Sequence, residues 1–348
     1  MRNISTLNLL FLSLLVGGIH AAVAEEESKQ EAPTTFKMHD GINFSGYVNA
    51  TAVAPAGGKG TLNIDDLALL GSGSFNNQLN PFFEGEIAGV TLVQQGGNPL
   101  SAGYPHLILE RLYNDSYLTN KLTLRIGKML SPFGEWNLIH AAPLVWTTTR
   151  PMTTYHGFSE YTSGASLLYS GNKSLLPDMQ LYVQPGSEIR PRTLDIVVRE
   201  YEQVSGLHLS WPSEFNDKLG WSLQHAHIKN TNAQQTLIGF NFNKTFGPLE
   251  FETEAHHTHL SGTNDGRVRD TETGTYVQGA YKLNEHWFLT NRYEYFAGRM
   301  FLNASENAVF GFAYKPTPSS TWKLEYVKQY GQLMEIQPGL YASFARLF

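Results

Sequence analysis

The feature that most limits how this chain can fold is an alternation of polar with apolar or aromatic residues that recurs from Gly41 to the C-terminus. A period of two is that of a strand with one wet and one greasy face. Helical periodicity is scarce, and beyond the N-terminus no apolar run approaches the roughly 20 residues that a spanning helix needs. In Lys121–Gly127, Leu122, Leu124 and Ile126 alternate with Lys121, Thr123 and Arg125, and an arginine there must face water. Ile238, Phe240 and Phe242 alternate with Gly239, Asn241 and Asn243. Leu249, Phe251 and Ala255 oppose Glu250, Glu252 and Glu254, and Trp287, Leu289, Tyr293 and Tyr295 oppose Thr290, Arg292 and Glu294. These polar faces are too hydrophilic for a soluble core. The apolar faces are nearly free of charge and rich in Trp, Tyr and Phe, as a lipid-facing band with aromatic girdles would be.

Sixteen segments of this kind are predicted, at 42–52, 62–75, 82–93, 106–114, 120–128, 163–170, 178–184 and 203–211, then at 218–228, 235–244, 248–260, 273–282, 286–296, 307–315, 321–328 and 339–348. An even number suits a bacterial barrel, and so does the spacing between the segments. Short connections rich in turn formers (Asn76–Gln78, Thr245–Gly247, Leu283–Glu285, Pro316–Ser320) alternate with longer ones such as Gln94–Pro105, Pro185–Glu202 and Ser261–Glu272. The fold class expected is all-β, a transmembrane antiparallel barrel of about 16 strands. The connection from about Met129 to Thr162 is by far the longest, and its Pro132-Phe133-Gly134, Trp136, Trp146 and Tyr155 are too aromatic for a disordered tail. It is expected to fold inward as a constriction loop; the alternative is a cap over the mouth.

The N-terminus reads as a cleaved export signal at 1–24: Arg2, an apolar core from Leu9 to Val16, and Ala22-Val23-Ala24 ahead of Glu25. A short, polar periplasmic tail (25–40) and the barrel (41–348) follow, which places the mature chain in the outer membrane of a Gram-negative cell. The 348 residues include no cysteine, which excludes disulfides and thiol chemistry. A formal charge of -6 without a basic patch argues against nucleic acid as a partner. The partners expected are outer-membrane lipids and small hydrophilic solutes.

At Lys121–Asn137, KLTLRIGKMLSPFGEWN, the chain resembles the phosphate-selective porin (Porin O and P) superfamily: a strand ending in Arg-x-Gly-Lys, then Pro-Phe entering the long loop. Asp65-Asp66-Leu67-Ala68-Leu69 looks similar too. The resemblance implies a 16-stranded, usually trimeric pore. The terminal strand ending in Phe348 looks like the signal read by the barrel-assembly machinery. Phosphate selectors of that superfamily are expected to line the pore with arginines and lysines, whereas this chain offers Glu250, Glu252 and Glu254.

Passive passage of small hydrophilic solutes or ions, leaning toward cations, is therefore expected, with no cofactor, no metal and no catalysis. Candidate pore-lining cations are Lys121, Arg125, Lys128, Arg150 and Arg292; candidate anions are Glu84, Glu86, Glu135, Glu250, Glu252, Glu254 and Glu294, with Arg125 and Glu135 the favoured pair. A metal reading of His256, His257 and His259 with His225 and His227 is disfavoured, because successive strand residues point to opposite faces. By the same rule Asp65 and Asp66 should diverge. The alternatives are a plugged structural or adhesin barrel and, less favoured, an outer-membrane hydrolase.

Overall fold

A computed structural model describes residues 36–39, 41–100, 105–139, 141–171, 176–189, 199–212, 218–262 and 266–348. The expected export signal and most of the expected tail lie outside the described residues.

A short strand β1 (Phe36–His39) precedes sixteen longer ones. These are β2 (Ile42–Pro55), β3 (Thr61–Gly73), β4 (Asn80–Gln94), β5 (His106–Tyr117), β6 (Leu122–Leu130), β7 (Tyr161–Tyr169), β8 (Asp178–Ser187) and β9 (Tyr201–Pro212). Then come β10 (Lys218–Ile228), β11 (Gln234–Phe246), β12 (Leu249–Ser261), β13 (Thr271–Lys282), β14 (Trp287–Ala297), β15 (Ser305–Thr317), β16 (Ser320–Gly331) and β17 (Gly339–Leu347). Each of β2–β17 pairs antiparallel with the next, and β17 returns to β2 with Tyr341 opposite Val53 and Leu347 opposite Tyr47. All sixteen expected strands are present, and they close into a ring. The addition is β1, which folds back on β2 with Phe36 opposite Phe44.

Alternation explains the two surfaces of the ring. On β10, Ser222, Gln224 and Ala226 are buried while Trp221, Leu223 and His225 are exposed; on β14, Thr290, Arg292 and Glu294 are buried while Trp287 and Tyr293 are exposed. The buried set faces inward and the apolar set outward, as in a barrel meant for lipid. Aromatic pairs gather where the short turns lie: Trp287 on Tyr314 (4.7 Å), Trp322 on Phe344 (4.4 Å) and Trp221 on Phe240 (5.1 Å). Side-chain oxygens shape those turns. Asn76 Oδ1 accepts the N–H groups of Gln78 and Leu79 (2.7 and 2.8 Å), and Asn284 Oδ1 those of His286 and Trp287 (3.0 Å each). Among the described residues no helix is long and apolar enough to cross a membrane.

Among the register shifts along the ladder are two β-bulges at acidic residues, the first of which shapes the site described below. Asn49 pairs with Asp66 but Ala50 pairs with Ile64, so Asp65 is an extra residue on β3. Glu84 pairs with Arg111 but Gly85 with Leu109, so Glu110 is extra on β5.

The ring is sealed at the C-terminus. Phe348 donates its N–H to the Gly46 carbonyl (2.9 Å), and Gly46 donates its own to the Phe348 carbonyl (2.8 Å). The Phe348 ring lies over Gly46, where an added Cβ would sit 2.6 Å from the ring and against the Ala68 carbonyl. Gly46→Val is expected to loosen the seam by about 1–3 kcal/mol, the usual cost of overpacking. Heat-modifiable electrophoretic mobility in detergent should then show a lower unfolding temperature than for wild type.

Candidate functional site

Residues 131–160 join β6 to β7 and contain one helical turn, α1 (Trp136–Ile139), and a 3-10 turn at Met152–Thr154. This segment hangs on side chains from the polar faces of β10–β17. Glu254 on β12 accepts the backbone N–H groups of Glu135 and Trp136 (2.8 and 2.7 Å). Glu294 on β14 accepts that of Met152 (2.7 Å), and Glu325 on β16 accepts those of Thr148 and Thr149 (2.9 and 2.8 Å). Gln224 on β10 accepts from Ser159 N–H (2.9 Å), and Gln235 on β11 donates to the Gly157 carbonyl (2.7 Å). Cations complete the set: Arg292 donates to the Thr149 carbonyl and hydroxyl (2.8 and 2.9 Å), and Lys323 to the carbonyls of Ala142 and Thr147 (2.7 and 3.1 Å). Irregular backbone has donors and acceptors that its own ladder does not satisfy, and here the wall's side chains satisfy them.

The Pro132-Phe133-Gly134 motif has its own socket. Phe133 packs on Phe158 (4.4 Å between centroids) and beside Leu237, over Gly239, where an added Cβ would run into the ring. Gly134 has φ +64°, a left-handed conformation that glycine adopts without steric cost, and it turns the chain under Glu254. At the far end of the segment His156 Nε2 lies 3.3 Å from Glu335, and that hydrogen bond holds the Glu335 carboxyl below the usual carboxylate range. Burial pushes the neighbouring Tyr155 hydroxyl far up.

The residues singled out in the sequence have unequal fates. Lys121 lies in the exposed turn before β6, not on its polar face. Arg125 pairs in bidentate fashion with Asp115 directly across on β5 (2.7 and 2.8 Å) and covers the Tyr113 ring at 3.9 Å. Glu135 instead binds Lys218 of β10 (2.6 Å), so the structure does not bring Arg125 and Glu135 together. Lys128 is buried against Glu188 (2.6 Å) and the Tyr161 ring. Arg150 is held by Glu160 (2.7 Å) and the Thr154 carbonyl (2.6 Å). Glu252 accepts from the Tyr276 hydroxyl and from Gln278 (3.1 Å). Arg292 and Glu294 are fully buried and pair at 2.8 Å. Glu84 pairs with Arg111, and the Tyr47 hydroxyl lies 3.4 Å from Glu86. His256 is buried, whereas His257 and His259 are exposed on the other face; among the described residues no group of three or more His, Asp or Glu is placed to hold a metal ion.

Glu325, Lys323 and the buried Arg299–Glu272 pair (3.1 Å) were not anticipated. The first two sit on β16 in Trp322-Lys323-Leu324-Glu325, an alternation that could have named them. The expected divergence of Asp65 and Asp66 is wrong, because the bulge turns both toward one cavity.

Two cavities flank the segment. One of about 410 Å³ lies toward β10–β13 and is lined by Glu135, Lys218, Lys244, Glu250, Glu252 and Gln278 among others. The second, about 490 Å³, lies toward β2–β5 and β16–β17. It is lined by Asp65, Asp66 and Glu86 on the wall, by Arg150 and Trp136 on the segment, and by Lys323.

Replacing Arg292 by Met would leave Glu294 buried without its guanidinium partner. Breaking a buried pair in this way costs about 3–5 kcal/mol. A urea titration of the detergent-folded variant should show that loss, while Arg125→Met, at a partly exposed pair, should lose less.

No protein-family model and no curated protein matches the chain. Solved structures do match in fold. OmpT, an outer membrane protein of Vibrio cholerae in its trimer form, is 11% identical over 88% of this chain and 99% of its own, with a TM-score of 0.62. OmpF of Salmonella typhi, solved with daunomycin, is 11% identical over 90% and 99%, TM-score 0.62, and an anion-selective porin of Comamonas acidovorans is 11% identical over 88% and 99%, TM-score 0.58. The fold of this chain is that of the 16-stranded bacterial outer-membrane porins.

Proposed function

We propose that this protein is an outer-membrane porin of a Gram-negative cell, passing small hydrophilic solutes and ions by passive diffusion with a lean toward cations. The observation that carries the reading is a closed ring with its polar faces inward around a cavity in which Asp65, Asp66 and Glu86 face Arg150 and Lys323. Acids that outnumber bases along a passage raise the local concentration of cations. The fold it shares with the porins supports the same reading.

In this reading the segment 131–160 is the constriction. Five residues beyond the end of β6, Glu135 already bonds to β12. Five residues reach at most about 18 Å. The path along the wall past six strands is about 30 Å. A chord through the interior, with the Glu254 side chain reaching in to meet the segment, is the shorter route. The porin assembles as a homotrimer, as OmpT does in its trimer form. It is exported by a signal cleaved near Glu25 and inserted by barrel-assembly machinery that reads Phe348. The resemblance at Lys121–Asn137 assigns it to the phosphate-selective porin superfamily in architecture, while the acids of the cavity disfavour phosphate itself. The function needs no cofactor and no catalytic group. The rival is a plugged barrel, favoured by how thoroughly the segment covers the polar faces of β10–β17.

Planar bilayers separate the two. The purified protein is expected to give stepwise conductance in potassium chloride and a reversal potential of cationic sign in a salt gradient. Asp65→Asn with Glu86→Gln should move that potential toward zero. Absence of steps would favour the plug, and a strong anion preference in wild type would remove the cation lean.

A further inference from the structure

We infer that the cavity beside β2–β5 is a recognition site for the ammonium or guanidinium group of a small solute, so that the passage binds basic, amino-acid-like solutes as well as conducting ions. The inference rests on the porin reading and names a substrate class for it.

The argument starts from the bulge. In a regular strand Asp65 and Asp66 would lie on opposite faces. The extra residue at 65 brings both carboxylates to one cavity, where Thr51 Oγ1 donates to Asp65 (2.6 Å) and Asn49 Nδ2 donates to Asp66 (2.9 Å). Asp65 is therefore held by a hydroxyl, and among the described residues it has no cationic partner. Several structural carboxylates elsewhere in this protein, Glu294, Glu135 and Glu325 among them, are met instead by arginine, lysine or a pair of backbone N–H groups.

A second observation is independent of the acids. Asn49 lines the same cavity, is 7% exposed, and its Oδ1 has no hydrogen-bond partner. A buried acceptor without a donor is costly, and such groups ask for an explanation. Beside two carboxylates, a third acceptor is best met by a ligand with several N–H donors and a positive charge. Guanidinium has five donors in a fixed fork and an alkylammonium has three. The walls suit the rest of such a solute. Tyr47 and Trp136 present aromatic surface to a cation. The Trp136 Nε1, also buried and without a partner, can donate to an acceptor at the solute's other end. The acceptors are not gathered as metal ligands would be. A volume of about 490 Å³ falls in the ordinary range for small-molecule sites.

The test compares L-arginine with L-citrulline, which has nearly the same shape but a neutral urea in place of guanidinium. Isothermal titration of the detergent-folded protein is expected to show arginine bound at least about tenfold more tightly, the loss typical of a charge-assisted hydrogen bond. The double variant Asp65→Asn, Asp66→Asn, shown to be folded by its heat-modifiable mobility, should bind the two alike. Equal wild-type affinities for the two solutes, or a preference that survives in the double variant, would overturn the inference. Conductance in potassium chloride is read on the same samples. Conductance without discrimination removes the site and leaves the pore; discrimination without conductance keeps the site and removes the pore.

Discussion

A backbone amide in hydrocarbon has no water to turn to, and this requirement governs everything else in the structure. Sixteen strands satisfy one another only if the last finds the first, so the β17–β2 seam is the place where the arrangement succeeds or fails. Gly46 and Phe348 show what that join demands: reciprocal backbone bonds, and a bare backbone beneath an aromatic ring. Closure also commits the side chains. Once the edges are gone, each strand has one face for lipid and one for whatever the ring encloses.

The enclosed face is more heavily engaged than its polarity alone suggests. Glu254, Glu294 and Glu325, on every second strand from β12 to β16, accept backbone N–H groups from a single connecting segment, while Arg292 and Lys323 hold its carbonyls. Charges on one wall thus serve mainly to seat the segment. The wall across from it, β2–β5, keeps Asp65, Asp66 and Glu86 beside the open space. This division of labour separates residues that shape the interior from residues that a solute would meet.

The sequence made the ring legible because side-chain alternation is local: Gln224, Gln235 and Arg292 reveal their face from their immediate neighbours. Strand number and the alternation of short and long connections followed from the same signal. Charge partners did not, because pairing depends on register between strands. Arg125 meets Asp115 since the two lie opposite across β5 and β6, and Glu135 meets Lys218 although 83 positions separate them. Lys121 was placed on a strand face, whereas it sits in the turn held by the Thr119 hydroxyl just before β6, its carbonyl accepting from Ser170 N–H. Asp65 and Asp66 were misread because a bulge is defined by its partner strand, and nothing in Asp65-Asp66 itself announces one.

That bulge has a bearing on how such walls diverge. Insertion of one amino acid opposite a regular neighbour re-aims a single side chain while the number of strands and the hydrogen bonds on either side stay as they were. At position 65 it adds a carboxylate to those of Asp66 and Glu86 beside the enclosed space without enlarging the wall or moving its anchors. Barrels of identical architecture can therefore acquire opposite tastes for solutes through gains and losses of one residue at a time, changes that a comparison of strand composition would miss.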